Sequence, residues 1–206
     1  MSRSLSLLVV FCVYVGVVFG WRTLQQYQRT GSTGFHGVSG AVGSASWWGG
    51  VLFIVGLVLL PLGTVLDASG AWDAWQLDNS RTADVVTAVG AALCALGAVG
   101  TIVAQQAMGA SWRIGVQQGE QTQLVHGGVF AVVRNPIFTT MVLSSLGYAL
   151  LVPHVLTVLG VVVIVVAVEL QVRVVEEPYL RATHGEAWLG YARRVGRFVP
   201  GLGRVR

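Results

Sequence analysis

Long apolar runs constrain this chain more than any other feature. A hydrocarbon core of about 30 Å is crossed by about 20 mostly apolar residues at 1.5 Å per residue. Runs of that kind lie at about 5–21, 47–66, 85–107, 137–152 and 154–175. The expected fold is an all-α integral membrane protein with about five transmembrane helices. Composition agrees: 54% of the 206 residues are hydrophobic and 11% are charged, where an ordinary soluble domain carries about 25% charged residues. A soluble domain, a disordered chain, a disulfide scaffold and a soluble nucleic-acid binder are therefore excluded. Cys12 and Cys94 sit inside apolar runs, where they act as small hydrophobes.

The first run starts at Arg3, which also suits a signal peptide, but no small-x-small cleavage site stands near Gly20, so a retained helix is expected. Trp47 and Trp48 are interfacial anchors of the second. The third holds Gly90, Ala91, Ala92, Ala95, Gly97 and Gly100, small residues that let helices approach closely. Pro153 alone separates the fourth from the fifth, which predicts a tight antiparallel hairpin. All 13 basic residues are arginines, and the net charge is +4. Arg22 and Arg29 follow the first run and Arg113 and Arg134 the third, whereas Asp67, Asp73, Asp78 and Asp84 face a single Arg81 between the second and third. Counting arginines puts the N-terminus outside and the C-terminus in the cytoplasm. Arg193, Arg194, Arg197, Arg204 and Arg206 crowd the tail, a patch suited to anionic lipid head groups. The chain thus divides into N-terminal transmembrane helices over 1–104 and a C-terminal core over 105–206. The Gly/Ser-rich stretch 31–46 reads as a flexible loop.

Two polar segments stand out, 105–138 and 169–200. The first carries Gln105, Gln106, Ser111, Trp112, Arg113, Gln117, Gln118, Glu120, Gln121, Gln123 and His126, and ends in Arg134-Asn135-Pro136. By itself that tripeptide is a helix start, with proline in the first turn, a capping amide and a snorkelling arginine. In the second segment Glu169, Arg173, Glu176, Glu177 and Leu180 recur every three or four residues along one helical face. They form either i, i+4 pairs or, beside the Arg134 loop, a site with an arginine, an amide and two carboxylates. Beyond Gly185, Ala187, Trp188, Tyr191 and Val195 have helical spacing beside arginines, as in a helix lying among head groups or a lid on the bundle. His36, His154 and His184 lack metal-ligand spacing, so no metal is expected. No GxGxxG, Walker A or GxSxG motif occurs.

The run Leu124-Val125-His126-Gly127-Gly128-Val129-Phe130, three residues, then Arg134-Asn135-Pro136-Ile137-Phe138 resembles the signature of the isoprenylcysteine carboxyl methyltransferases. That signature reads Leu-Val-x-x-Gly-Val-Tyr, three residues, Arg-His-Pro-x-Tyr. These are integral membrane methyltransferases related to phospholipid methyltransferases. Arg173, the pair Glu176 and Glu177, Leu180, and the stretch from Gly185 through Tyr191 to Pro200 are similar to the family's later motifs. The resemblance covers about 105–200. It implies a methyltransferase that uses S-adenosylmethionine and acts on a lipophilic or small acceptor, a carboxylate, thiol or amine, reached from the bilayer. The cofactor positions it implies are Gln123, Leu124, Val125, Phe130, Arg134, Asn135, Pro136, Ile137, Phe138 and Glu177, and Arg173 is the implied acceptor-orienting catalytic residue. Asn135 stands where the family has histidine, and Phe130 and Phe138 where it has tyrosines. An amide does not titrate near neutrality, and the phenylalanine faces still attract a cationic sulfonium. Two other readings are open at this point: a bundle without catalysis, and an NADPH-dependent membrane reductase of the sterol type.

Overall fold

The structure, a computed structural model, describes residues 3–33, 38–76, 79–112 and 123–205. Five helical rods make the fold: α1 Arg3–Thr30, α2 Ala45–Ser69, α3 Ser80–Met108, α4 Pro136–Leu151 and α5 Val155–Arg194. Among the described residues there is no strand beyond one isolated parallel bridge between Val133 and Gly196. α1, α2, α3 and α5 are long and apolar enough to cross a membrane. The fourth expected span, α4, is shorter: its 16 residues reach about 24 Å. The protein is an all-α integral membrane protein, with four full-length candidate spans and one short apolar helix where five spans were expected.

Contacts at the helix ends show that the rods alternate in direction. At one end Arg3 donates to Thr87 Oγ1 and to the Leu151 carbonyl, Ser4 to Asp67, and the Trp75 amide to Pro153 O. The other end gathers Arg22, Gln105, Arg134, Glu177 and Arg197. α3 packs along α4, and α2 along the first part of α5, while α4 and α5 touch over a shorter length. The expected hairpin is thus two successive helices, each with its main partner elsewhere.

Glycine makes both close pairings. Gly49, Gly56 and Gly63 are seven apart and share one face of α2. A Cβ on Gly56 would lie 3.0 Å from Gly160 O on α5, and one on Gly147 of α4 would lie 2.6 Å from both Gly90 O and Cys94 N on α3. Of the small residues in the third run, Gly90 and Gly97 are the buried glycines at this crossing. Between the pairs lies a core of Leu60, Tyr148, Val152, Val161, Ile164, Val168 and Val172, crossed by a hydrogen bond of 2.7 Å between Thr64 Oγ1 and Tyr148 Oη.

Two rods change register within their length. α1 contains a π-helical turn at Gly16–Trp21 and α5 one at Gln171–Glu176. The second lies just ahead of Pro178, whose missing amide and ring cannot continue regular i to i−4 bonding. Such single-turn widenings concentrate at functional sites. α5 then breaks direction at Gly185, where φ is +53°, a region that disfavours residues with a Cβ. The interfacial helix expected beyond Gly185 is therefore the last part of this same rod.

In the described part of the stretch expected as a loop over 31–46, Val38 packs on Gly50, Ser39 bonds Ser46, and Ser44 caps α2 through the Trp47 amide. Arg22, expected in a loop, is inside α1 and only 2% exposed. Its Nη2 donates to the Gln105 and Gly109 carbonyls at the end of α3, and its guanidinium lies over the Trp112 ring. Of the residues singled out in the sequence, Arg113, Gln117, Gln118, Glu120, Gln121, His36, Asp78 and Arg206 lie outside the described residues.

Candidate active site

The site begins with one carboxylate held between two guanidinium groups. The π turn at 171–176 ends where Glu177 meets Arg134, whose Nη2 donates to Glu177 Oε1 at 2.6 Å. Arg197, from beyond the end of α5, adds Nε to Oε1 and Nη2 to Oε2, both at 2.8 Å. This two-pronged geometry is the one in which arginine binds carboxylates most firmly. Arg134 also donates to the carbonyls of Ala192, Val195 and Gly203. With its side chain 3% exposed, it is a buried cross-link and not a snorkelling cation.

The backbone continues the clasp. Arg134 N donates to Gly196 O at 2.8 Å and Asn135 N to Arg197 O at 3.1 Å. The Asn135 side-chain amide also donates to Arg197 O, and it makes no capping bond to α4, although Pro136 opens that helix as expected. Tyr191 Oη donates to Phe130 O at 2.6 Å. Trp188, Tyr191, Ala192 and Val195 form a small core under these bonds. Glu177 lies beyond the apolar part of α5. Burial pushes its carboxyl up, but hydrogen bonds from Arg197 and Arg134 outweigh this and hold it below the ordinary carboxylate value. Burial pushes the Tyr191 phenol up to about 12, so it stays a neutral donor.

Against this clasp lies a cavity of about 200 Å³. Gln123, Leu124, Val125, Phe130, Arg134, Asn135, Pro136, Ile137, Phe138 and Glu177 all line it. The structure therefore brings together every position that the family resemblance marks for a cofactor. Glu176, Leu180, Trp188 and Tyr191 of the later motifs also line it, and much of the remaining wall comes from residues that no motif marks. Phe19 belongs to the π turn of α1, Gly49, Gly50 and Phe53 to α2, Met108 and Gln105 to α3, and Ala167, Val168 and Gln171 to α5. Gln171 and Glu176 both reach the cavity because an i to i+5 turn lays such a pair over one another. The two halves differ in character: amides, carboxylates and aromatic rings on the clasp side, and the rings of Phe19 and Phe53, two glycines and the mutually bonded Ser39 and Ser46 toward α1 and α2.

Arg173 stands outside this arrangement. It does not line the cavity, its side chain is more than half exposed, and it pairs with Glu169 as an i, i+4 neighbour. The plain ion-pair reading of these two residues describes the structure, and the acceptor-orienting role implied for Arg173 does not suit its position. Trp188 and Tyr191 face inward at 3% and 5% exposure, so they close the clasp instead of meeting lipid. The sequence signal for the α1 and α2 wall was slight. Phe19 and Phe53 lie within apolar runs, and it is the packing of the helices that places them on the cavity.

Among the described residues no cluster of His, Cys, Asp or Glu suits a metal ion. Neither a curated protein nor a solved structure matches the chain significantly. The family model of the phospholipid methyltransferases matches residues 85–187, half of the chain. The matched part supplies α3, α4, Arg134, Glu177 and the motif wall of the cavity, and ends just before Trp188. The chain belongs to the phospholipid methyltransferase family, a family of membrane methyltransferases.

Proposed function

We propose that the protein transfers a methyl group from S-adenosylmethionine to a lipid amine. One observation carries this reading: the ten positions implied for a cofactor converge on one cavity that is mainly apolar as a whole. The donor set suits a cationic sulfonium with a flat base. It offers ring faces at Phe130, Phe138, Trp112 and Trp188, carboxylates at Glu176 and Glu177, and amides at Gln105, Gln123, Asn135 and Gln171. When bound, this cofactor supplies a methyl group already activated by the sulfonium charge. The protein then has to position the acceptor, take up the proton that an ammonium loses before its nitrogen can attack, for which the wall offers the Glu176 carboxylate, and keep out water. Phe130 and Phe138 attract the positive charge through their faces, and Arg134 and Arg197 hold Glu177 and the last turn of α5 against the cavity.

An amine is favoured over a carboxylate by the charges in the wall. Among the described residues Arg134 is the one guanidinium that lines the cavity, and it is committed to Glu177 and three carbonyls. An acceptor carboxylate would have no counter-ion there, whereas an amine would lie among the carboxylates of the wall, Glu176 and Glu177, and a lipid acceptor agrees with the family of phospholipid methyltransferases. The clasp end of the bundle is the cytoplasmic one on the count of arginines.

Calorimetric titration of detergent-purified protein with S-adenosylmethionine and with NADPH tests the cofactor. Binding of the first alone is expected. Binding of NADPH alone would replace this reading with a reductase, and binding of neither would leave a bundle without catalysis. Transfer of labelled methyl to phosphatidylethanolamine in nanodiscs, compared with a fatty acid, then tests the acceptor.

A further inference from the structure

We infer that the acyl chain of the lipid acceptor enters the cavity from the bilayer between α1 and α2, through a gate formed by Phe19 and Phe53. The inference rests on the proposed methyl transfer to a lipid, and its geometry is independent of the motif half of the cavity. The Trp188 side is closed: Trp188 and Tyr191 are buried and Tyr191 is bonded to Phe130 O. The opposite wall is built differently. α1 meets α2 along 3–15, and from Gly16 its backbone leans on α3, with Val18 buried and its carbonyl accepting from Gln105 Nε2 at 3.0 Å. At that level α1 and α2 meet through a pair of rings. Phe19 and Phe53 meet edge to face, with centroids 6.3 Å apart and an interplanar angle of 68°. Both rings line the cavity and both are partly exposed, and the apolar residues beside them, Val17, Ile54 and Val55, are exposed as lipid-facing residues are, so the ring pair stands between the cavity and the apolar outer surface of α1 and α2.

The π turns place this passage. One carries Phe19, and the other brings Gln171 and Glu176 to the same cavity. Gly49 keeps the floor low, because a Cβ there would lie 2.9 Å from Gln171 Oε1. A ring edge can turn aside by side-chain rotation, which for partly exposed residues is fast compared with helix movement. An acyl chain can therefore pass without parting the glycine-packed helix pairs.

The test uses the full chain in nanodiscs containing phosphatidylethanolamine with a diazirine at the end of one acyl chain. After illumination, labelled residues are mapped by mass spectrometry. Label is expected on Met108 and Met141 inside the cavity as well as on the outward-facing Val58 and Val162. In Phe19→Trp/Phe53→Trp, cavity label should fall about tenfold with outer label unchanged, an effect of the size that overpacking produces. In Phe53→Ala it should rise. Cavity label that is absent from the unmodified protein, or that responds to neither variant, would overturn the gate. Titration with S-adenosylmethionine in the same samples separates the two ideas: lost cofactor binding with intact cavity label overturns the methyl-transfer reading alone, and retained binding without cavity label overturns the gate alone.

Discussion

Glu177 is where single-residue chemistry matters most, because two arginines converge on one half-buried carboxylate. Removing one partner from such a cluster leaves buried charge uncompensated, so Glu177→Gln should lower stability by on the order of 3 kcal/mol, read as a loss in detergent thermal unfolding. Its pH dependence has a definite sign. The folded carboxyl is held below its ordinary value, so the stabilisation is complete above about pH 4.3, the free glutamate value. It is lost as pH falls through the lower folded value. Melting curves of the unmodified protein and of Glu177→Gln should converge in that acidic window and stay apart at neutral pH. Arg173 gives the contrasting case. Its exposed pair with Glu169 is of the kind worth about 0–1 kcal/mol. Arg173→Ala should leave methyl transfer within about twofold, as for other surface changes. A loss of acceptor use with cofactor affinity intact would return Arg173 to the site.

The helices are held together by close backbone approach more than by large side chains. Gly147 meets Gly90 O and Cys94 N, which are backbone atoms and cannot move aside like a flexible side chain. Gly147→Leu should therefore destabilise the α3 and α4 pair by about 1–3 kcal/mol or more, whereas Gly16→Leu, where nothing lies within 4 Å, should be tolerated. Comparing the two variants by thermal unfolding distinguishes packing from a general intolerance of bulk. Small residues such as Gly90 and Gly97 were legible in the sequence as contact candidates. Their partners on α4 were not, because nothing in a single sequence says which rod lies against which. The same holds for the expected hairpin: Pro153 marks the break between α4 and α5, but the glycine faces send each to a different neighbour.

For the whole molecule, alternation of the rods puts the ends near 30, 109, 134 and 197 on one side and those near 3, 67, 87 and 151 on the other. If the arginine-rich side is cytoplasmic, reporter fusions after Ser32, Asp73 and Arg204 should report inside, outside and inside. An external Ser32 would reverse the orientation. The apolar runs by themselves determined the helical membrane class, since backbone in lipid must satisfy its own hydrogen bonds. The family resemblance carried by the motifs around Arg134 and Glu177 marked the motif half of the cavity, which is legible because it lies within two local segments. Tertiary structure alone decided three matters: that Glu177 joins Arg134 to Arg197, that Arg173 stays outside, and that Phe19 and Phe53 complete the wall. Each depends on the rotation and depth at which one rod meets another. Those are fixed by glycine contacts and by two π turns, whose change of register no count of residues along a regular helix reveals.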